Sequence, residues 1–154
     1  MQIVYVIIVL SFALSISIED LKIHKIRNRK LLYFSASLII FSVLLPNAYM
    51  DPISGISFFA IFTALYLLSN AFDKAGGFGF GDVKLISVLA LAFFDTGLRS
   101  VEIFFISLWL ALVAHICLHL LIYRKFPYRI AMAPDIFLAS GLYLYAPIAF
   151  LLPQ

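Results

Sequence analysis

The sequence predicts an all-α integral membrane protein, a six-transmembrane-helix bundle with both termini external, and three observations carry that prediction. Hydrophobic residues make up 64% of the chain and charged residues only 12%, with a mean hydropathy of +1.09, which leaves too little polar surface for a water-soluble domain. Apolar runs recur at about 2–18, 31–46, 53–72, 78–94, 103–123 and 130–152, each near the roughly 20 residues that a helix needs to cross the hydrocarbon layer. Lys and Arg gather in alternate breaks between those runs, as they do in the cytoplasmic loops of membrane proteins. The 154 residues hold these spans without room for a second, soluble domain, so 1–154 reads as a single membrane-embedded domain.

The first run, "MQIVYVIIVLSFALSISI", has neither the basic start nor the small-residue cleavage site of a secretory signal and reads as a retained helix. The break after it, "EDLKIHKIRNRK", carries Lys22, Lys25, Arg27, Arg29 and Lys30. The second break carries no basic residue, the third Lys74 and Lys84, the fourth Arg99, and the fifth Arg124, Lys125 and Arg129. Ten of the eleven basic residues thus fall in breaks one, three and five, which makes those breaks cytoplasmic. The net charge of +3 is therefore read as a topology signal, helped by anionic lipid headgroups, and no nucleic-acid partner is expected. A single cysteine, Cys117, excludes a disulfide framework and a multi-cysteine zinc site within one chain. No cofactor and no metal are expected.

The stretch "GGFGFGDVKL", residues 76–85, sets permissive backbone beside an acid and a base inside an apolar chain. Counting back from Asp95, residues 83–94 span only about 18 Å of helix against the roughly 30 Å of the hydrocarbon layer. The glycine run must complete the crossing, which puts Asp82 about 10 Å below the cytoplasmic surface. A charge there costs several kcal/mol unless it is used or paired. The ordinary alternative makes Asp82 the N-cap of the fourth helix, though the Glu or Gln of a capping box is replaced by Leu85.

Asp20 lies at the cytoplasmic end of the first helix, next to the chemically equivalent Glu19. Either acid has an ordinary alternative in pairing with the basic residues that follow. Two facing carboxylates from different helices, in a site of restricted solvation, do not both ionise easily. One can take a proton from an attacking water while the other donates to a carbonyl oxygen, with coupled titrations.

The residues Gly79-Phe80-Gly81-Asp82, followed by Lys84, resemble the Gly-x-Gly-Asp-x-Lys element of the prepilin peptidase family, a branch of the intramembrane aspartic proteases. In that family the first catalytic aspartate precedes a basic stretch ending in Ile-Pro-Asn, and here Asp20 precedes Ile26-Arg27-Asn28. The resemblance implies Asp20 and Asp82 as the catalytic pair, with Gly79, Gly81, Lys84, Ile26 and Asn28 shaping the site. Small residues beside Asp82 make room for an extended substrate strand. Lys84 biases the pair or contacts headgroups, with ordinary snorkelling as the alternative. Arg27 stands where the family usually has Pro, so a differently shaped turn is expected.

The resemblance further implies cleavage of prepilin leaders at the cytoplasmic face of the bacterial inner membrane, usually just after a glycine. Partners are then the prepilin, as leader plus hydrophobic helix, and membrane lipid. Larger family members add a zinc-binding region with paired cysteines and also methylate the new N-terminus. Without that region, the chain is similar to the short, peptidase-only members that serve tight-adherence (Flp) pili.

Other polar groups compete for a role. Asp135, in "MAPDIFLASG", lies about 9 Å inside the last helix from Arg129 and is a candidate accessory acid, or else pairs with a neighbouring helix. His115 and His119 share a face at i, i+4, but a zincin pattern would need Glu at Ile116, so contacts between helices are expected. Aromatic residues, 16% of the chain, read as packing and interfacial anchors. The rival class is a small proton- or cation-coupled transporter subunit using buried carboxylates beside a broken helix, and a purely structural subunit is a third. By simple counting Asp20 sits at the membrane boundary with Asp82 deeper, so a working pair requires tilt, thinning or a cleft. A basic leader would also meet the basic loop from Lys22 to Lys30, a repulsion to be offset by acids or headgroups.

Overall fold

The computed structural model describes residues 2–45, 50–72, 79–126 and 130–145. Within them the chain is all-α, with six helices: α1 (Gln2–Ile23), α2 (Asn28–Leu44), α3 (Pro52–Phe72), α4 (Phe80–Phe93), α5 (Leu98–Tyr123) and α6 (Met132–Tyr145). The start of the glycine run (Gly76, Gly77), Lys74, Arg129 and the 146–152 part of the expected sixth span lie outside the described residues.

Three helices are long and apolar enough to cross a membrane by length and composition: Ile3–Ile23, Pro52–Ala71 and Leu98–Tyr123. Their outward faces carry Ile7, Leu10 and Leu14 on α1, Leu67 and Leu68 on α3, and Trp109, Leu118 and Leu121 on α5, all exposed. Such apolar surface is stable against lipid and not against water. The other helices are shorter: α2 has 17 residues and α4 has 14, the latter about 21 Å long at 1.5 Å per residue.

The short helix α4 is central, with α2, α3 and α6 packed around it, while α6 also meets α1 and α5. Its residues Val83, Leu85, Ile86, Leu89 and Ala90 are all buried, a spacing that covers more than one face and fits a helix enclosed by neighbours. Beside it Phe58 and Phe62 of α3, Phe94 and Phe104 are buried, with the Phe94 and Phe104 rings 4.8 Å apart. Because lipid is as apolar as these side chains, close packing and not hydrophobic exclusion holds the helices together. Gly55 illustrates it: a Cβ there would lie 2.9 Å from the Cβ of Leu91, so α3 approaches α4 where only hydrogen fits.

Local signals set the helix ends. Asp51 precedes Pro52, and its carboxylate accepts the Ile53 N–H at 3.0 Å, an acid at the N-cap followed by proline at the first helical position. Gly97 starts α5 at φ +155°, in the region that favours glycine. His24 and Arg124 end α1 and α5 in the left-handed region, at φ 50° and 53°.

Two expected boundaries are corrected. The first helix, expected to stop near residue 18, runs to Ile23, and the fifth, expected from 103, begins at Leu98. Hydropathy locates the membrane boundary, and nothing in "EDLKI" or "LRSVE" breaks a helix, so the backbone continues past it.

Candidate active site

Extension of α1 sends the adjacent acids to different partners. Successive helical residues point about 100° apart, so Glu19 and Asp20 face different neighbours. Glu19 pairs with Arg27 Nε at 2.6 Å and Lys30 Nζ at 2.5 Å, tying α1 to the start of α2. Asp20 turns the other way, is 4% exposed, and its Oδ2 accepts the backbone N–H of Ala133 at 2.9 Å. The pairing with basic residues thus belongs to Glu19, and Asp20 faces the start of α6.

Arg27 does not distort the turn. Its backbone is extended at φ −73°, ψ 126°, values a proline would also adopt, contrary to the expectation of a differently shaped turn. The side chain adds what proline lacks, the ion pair with Glu19.

At α4 the register differs from the expected one. Gly79 is the N-cap, extended at φ −84°, ψ 144°, and Asp82 is the third helical residue, where its Oδ2 accepts the Gly79 N–H at 3.1 Å. Asp82 is therefore the acid that folds back onto the cap and not the cap itself. It is 9% exposed. The glycines act through size and not through unusual dihedrals. A Cβ on Gly79 would lie 2.9 Å from Asp82 Oδ2, and one on Gly81 3.3 Å from Ile26 Cβ.

Two motifs far apart in sequence meet here. Ile26 packs on Gly81, and Lys84 Nζ donates to Asn28 Oδ1 at 3.1 Å while lying 4.9 Å from the centre of the Phe80 ring. Next to this contact a groove of about 320 Å³ opens between α2, α3 and α4, lined by Asn28, Leu31, Ser35, Phe59, Lys84 and Val88.

Asp135 is a further buried carboxylate, 3% exposed. His115 Nδ1 is 2.9 Å from both of its oxygens. His119, on the same face of α5, goes elsewhere, its Nδ1 meeting the Lys125 carbonyl oxygen at 3.0 Å. Asp20 interacts electrostatically with Asp82 and with Asp135, so acids from α1, α4 and α6 share one region. Among the described residues no Lys or Arg forms an ion pair with Asp20 or Asp82. Two participants were not visible in the sequence. The Ala133 donor is a backbone group, and the His115–Asp135 pair depends on how α5 and α6 dock, although Asp135 beside Pro134 marks the start of a helix.

Comparison with protein families matches residues 7–122 to the type IV leader peptidase family. The match spans well over half of the chain and includes Asp20 and Asp82, so the protein belongs to that family. Membership makes it a prepilin peptidase, an aspartic hydrolase of the inner membrane whose substrates are prepilins carrying leader peptides. No curated protein and no solved structure matches the chain.

Proposed function

We propose that the chain removes prepilin leaders by water attack at an Asp20/Asp82 acid–base pair on the cytoplasmic side of the membrane. One carboxylate, ionised, takes a proton from the attacking water, and the other, protonated, donates to the scissile carbonyl oxygen. The resulting tetrahedral carbon collapses as the nitrogen receives a proton and leaves as the amine of the mature subunit. The observation that carries this reading is the burial of two acids from separate helices, near enough to interact electrostatically and with no basic partner among the described residues. A buried acid kept only for stability has its oxygens occupied by several donors or by a cation.

Gly79, Gly81, Ile26, Asn28 and Lys84 form the substrate-binding wall in this reading. Hydrogen at Gly79 and Gly81 leaves room for the Asp82 carboxylate and for Ile26, which fixes the shape of that wall. The Lys84–Asn28 bond holds the edge of the neighbouring apolar groove, which suits the hydrophobic helix following a leader. Asp135 takes an accessory part, since water attack needs two acids and His115 already binds the third.

All six helices cross or line the membrane in this proposal, with both termini external, because ten of the eleven basic residues lie in alternate breaks. The substrates are of the tight-adherence (Flp) type in this proposal, an assignment supported by the single cysteine within these 154 residues. The test is cleavage of a co-expressed Flp-type prepilin by the wild type, Asp20→Asn and Asp82→Asn, read as a mobility shift at matched membrane abundance. Loss in both variants is expected. Processing that survives either change would remove that residue from the pair.

A further inference from the structure

We propose that His115 is a positioning residue for Asp20, acting through Asp135 and the first turn of α6, a role that rests on Asp20 being half of the catalytic pair. The connection is continuous. His115 on α5 bridges both oxygens of Asp135 at 2.9 Å, and two residues earlier in α6 the Ala133 N–H donates to Asp20 Oδ2 at 2.9 Å. Between them stands Pro134, whose ring fixes φ and removes the N–H that would otherwise compete as a donor. Ala133 and Asp135 thus stand in one first turn of α6, so a shift of that turn at Asp135 moves the Ala133 N–H with it. These α6 residues lie beyond 7–122, the part of the chain matched to the family.

Asp20 needs such a fastening. On its Glu19 side α1 is tied to α2 by ion pairs with Arg27 and Lys30, whereas on the Asp20 side the carboxylate receives one hydrogen bond from α6. Misplacement by about 1 Å in an acid–base site costs on the order of 100-fold in rate. Asp135, buried in an apolar setting, would without His115 seek another donor and take the α6 turn with it. The imidazole thus sets where the Ala133 N–H points, and the N–H sets where Asp20 stands.

The experiment measures kcat and KM for the purified full-length protein in detergent with a prepilin substrate. His115→Leu is expected to lower kcat about 10- to 100-fold with KM little changed. His115→Asn, whose amide N–H stands where Nδ1 does, restores most of the rate, and Asp135→Asn, whose amide oxygen still accepts from His115, keeps most of it. Wild-type kcat in His115→Leu overturns the proposal. So does a loss in Asp135→Asn as deep as that in Asp20→Asn, which would make Asp135 a proton-transferring acid. Should His115→Leu not accumulate, His115→Asn against His115→Gln decides, because glutamine places its amide at the wrong ring position; equal rates reject the positioning role. Absence of cleavage by the wild type, or its persistence in Asp20→Asn, would instead reject the catalytic pair.

Discussion

The two ends of the helix bundle treat a buried acid in opposite ways. Where α3 begins and α4 ends, Asp51 receives the Ile53 N–H and the Thr96 hydroxyl, while its own N–H donates to the Leu91 carbonyl at 2.9 Å. The Thr96 hydroxyl first, and then the Ser54 and Ile53 amides, hold its carboxyl below the usual carboxylate range despite its partial burial. Nearby, Ser100 and the Asp95 N–H both bond the Tyr143 hydroxyl, at 2.7 and 3.2 Å. At the other end Asp20 and Asp82 each accept a single backbone N–H among the described residues and interact electrostatically. One end is a fastening whose acid takes both an amide and a hydroxyl, and the other leaves its acids with fewer donors among those residues, which suits the proton transfer proposed for them.

The largest expected effect tests that contrast directly. Asp82→Asn or Asp20→Asn should lower prepilin processing by roughly 100-fold or more, whereas Asp51→Asn should leave it near wild type at equal abundance. If Asp51→Asn is as damaging as Asp82→Asn, the division between a structural and a chemical end collapses. Gly55→Ala comes next: with only 2.9 Å to Leu91 Cβ, the α3–α4 contact should lose about 1–3 kcal/mol, seen as earlier thermal unfolding in detergent.

Gly81→Val sharpens the chemical side. Its Cβ would press on Ile26 at 3.3 Å, and processing should fall about tenfold for a strain of about 1–2 kcal/mol. Gly141→Ala, with nothing within 4 Å, should have no effect on the same assay. The smallest effect concerns pH. Because the Asp51 carboxyl is held below its ordinary range, its contribution to stability is present above that range and is lost as pH falls through the lowered value. The stability difference between wild type and Thr96→Val should therefore be full at neutral pH and shrink in strong acid, as followed by thermal unfolding.

Much of this was legible from residue letters. The apolar runs marked six helices, and Asp82 stood out because charge is rare at its depth in such a chain, while Asp20 was singled out by the family resemblance. Helix ends were less legible, since Glu19, Asp20 and Lys22 mark where lipid ends and not where the helix does. The register at Gly79 and Asp82 was also hidden: an N-cap acid and an acid three residues into the helix leave nearly the same sequence trace. Residue chemistry left Glu19 and Asp20 equivalent and only the spacing to Ile26-Arg27-Asn28 favoured Asp20; that Arg27 and Lys30 lie on the Glu19 side needed the folded chain. The partner of Asp20 had no letter at all, being the N–H of an alanine.

That last contact joins residues 113 positions apart, and it gives the order of synthesis a consequence. Both aspartates are made and inserted with α1 and α4, but a nascent chain that has reached only α5 still lacks the Ala133 donor. If Asp20 and Asp82 act as proposed, proteolytic competence arrives with the final described helix, after the rest of the bundle is made. A pair whose last donor comes with α6 would spare the membrane a half-built protease.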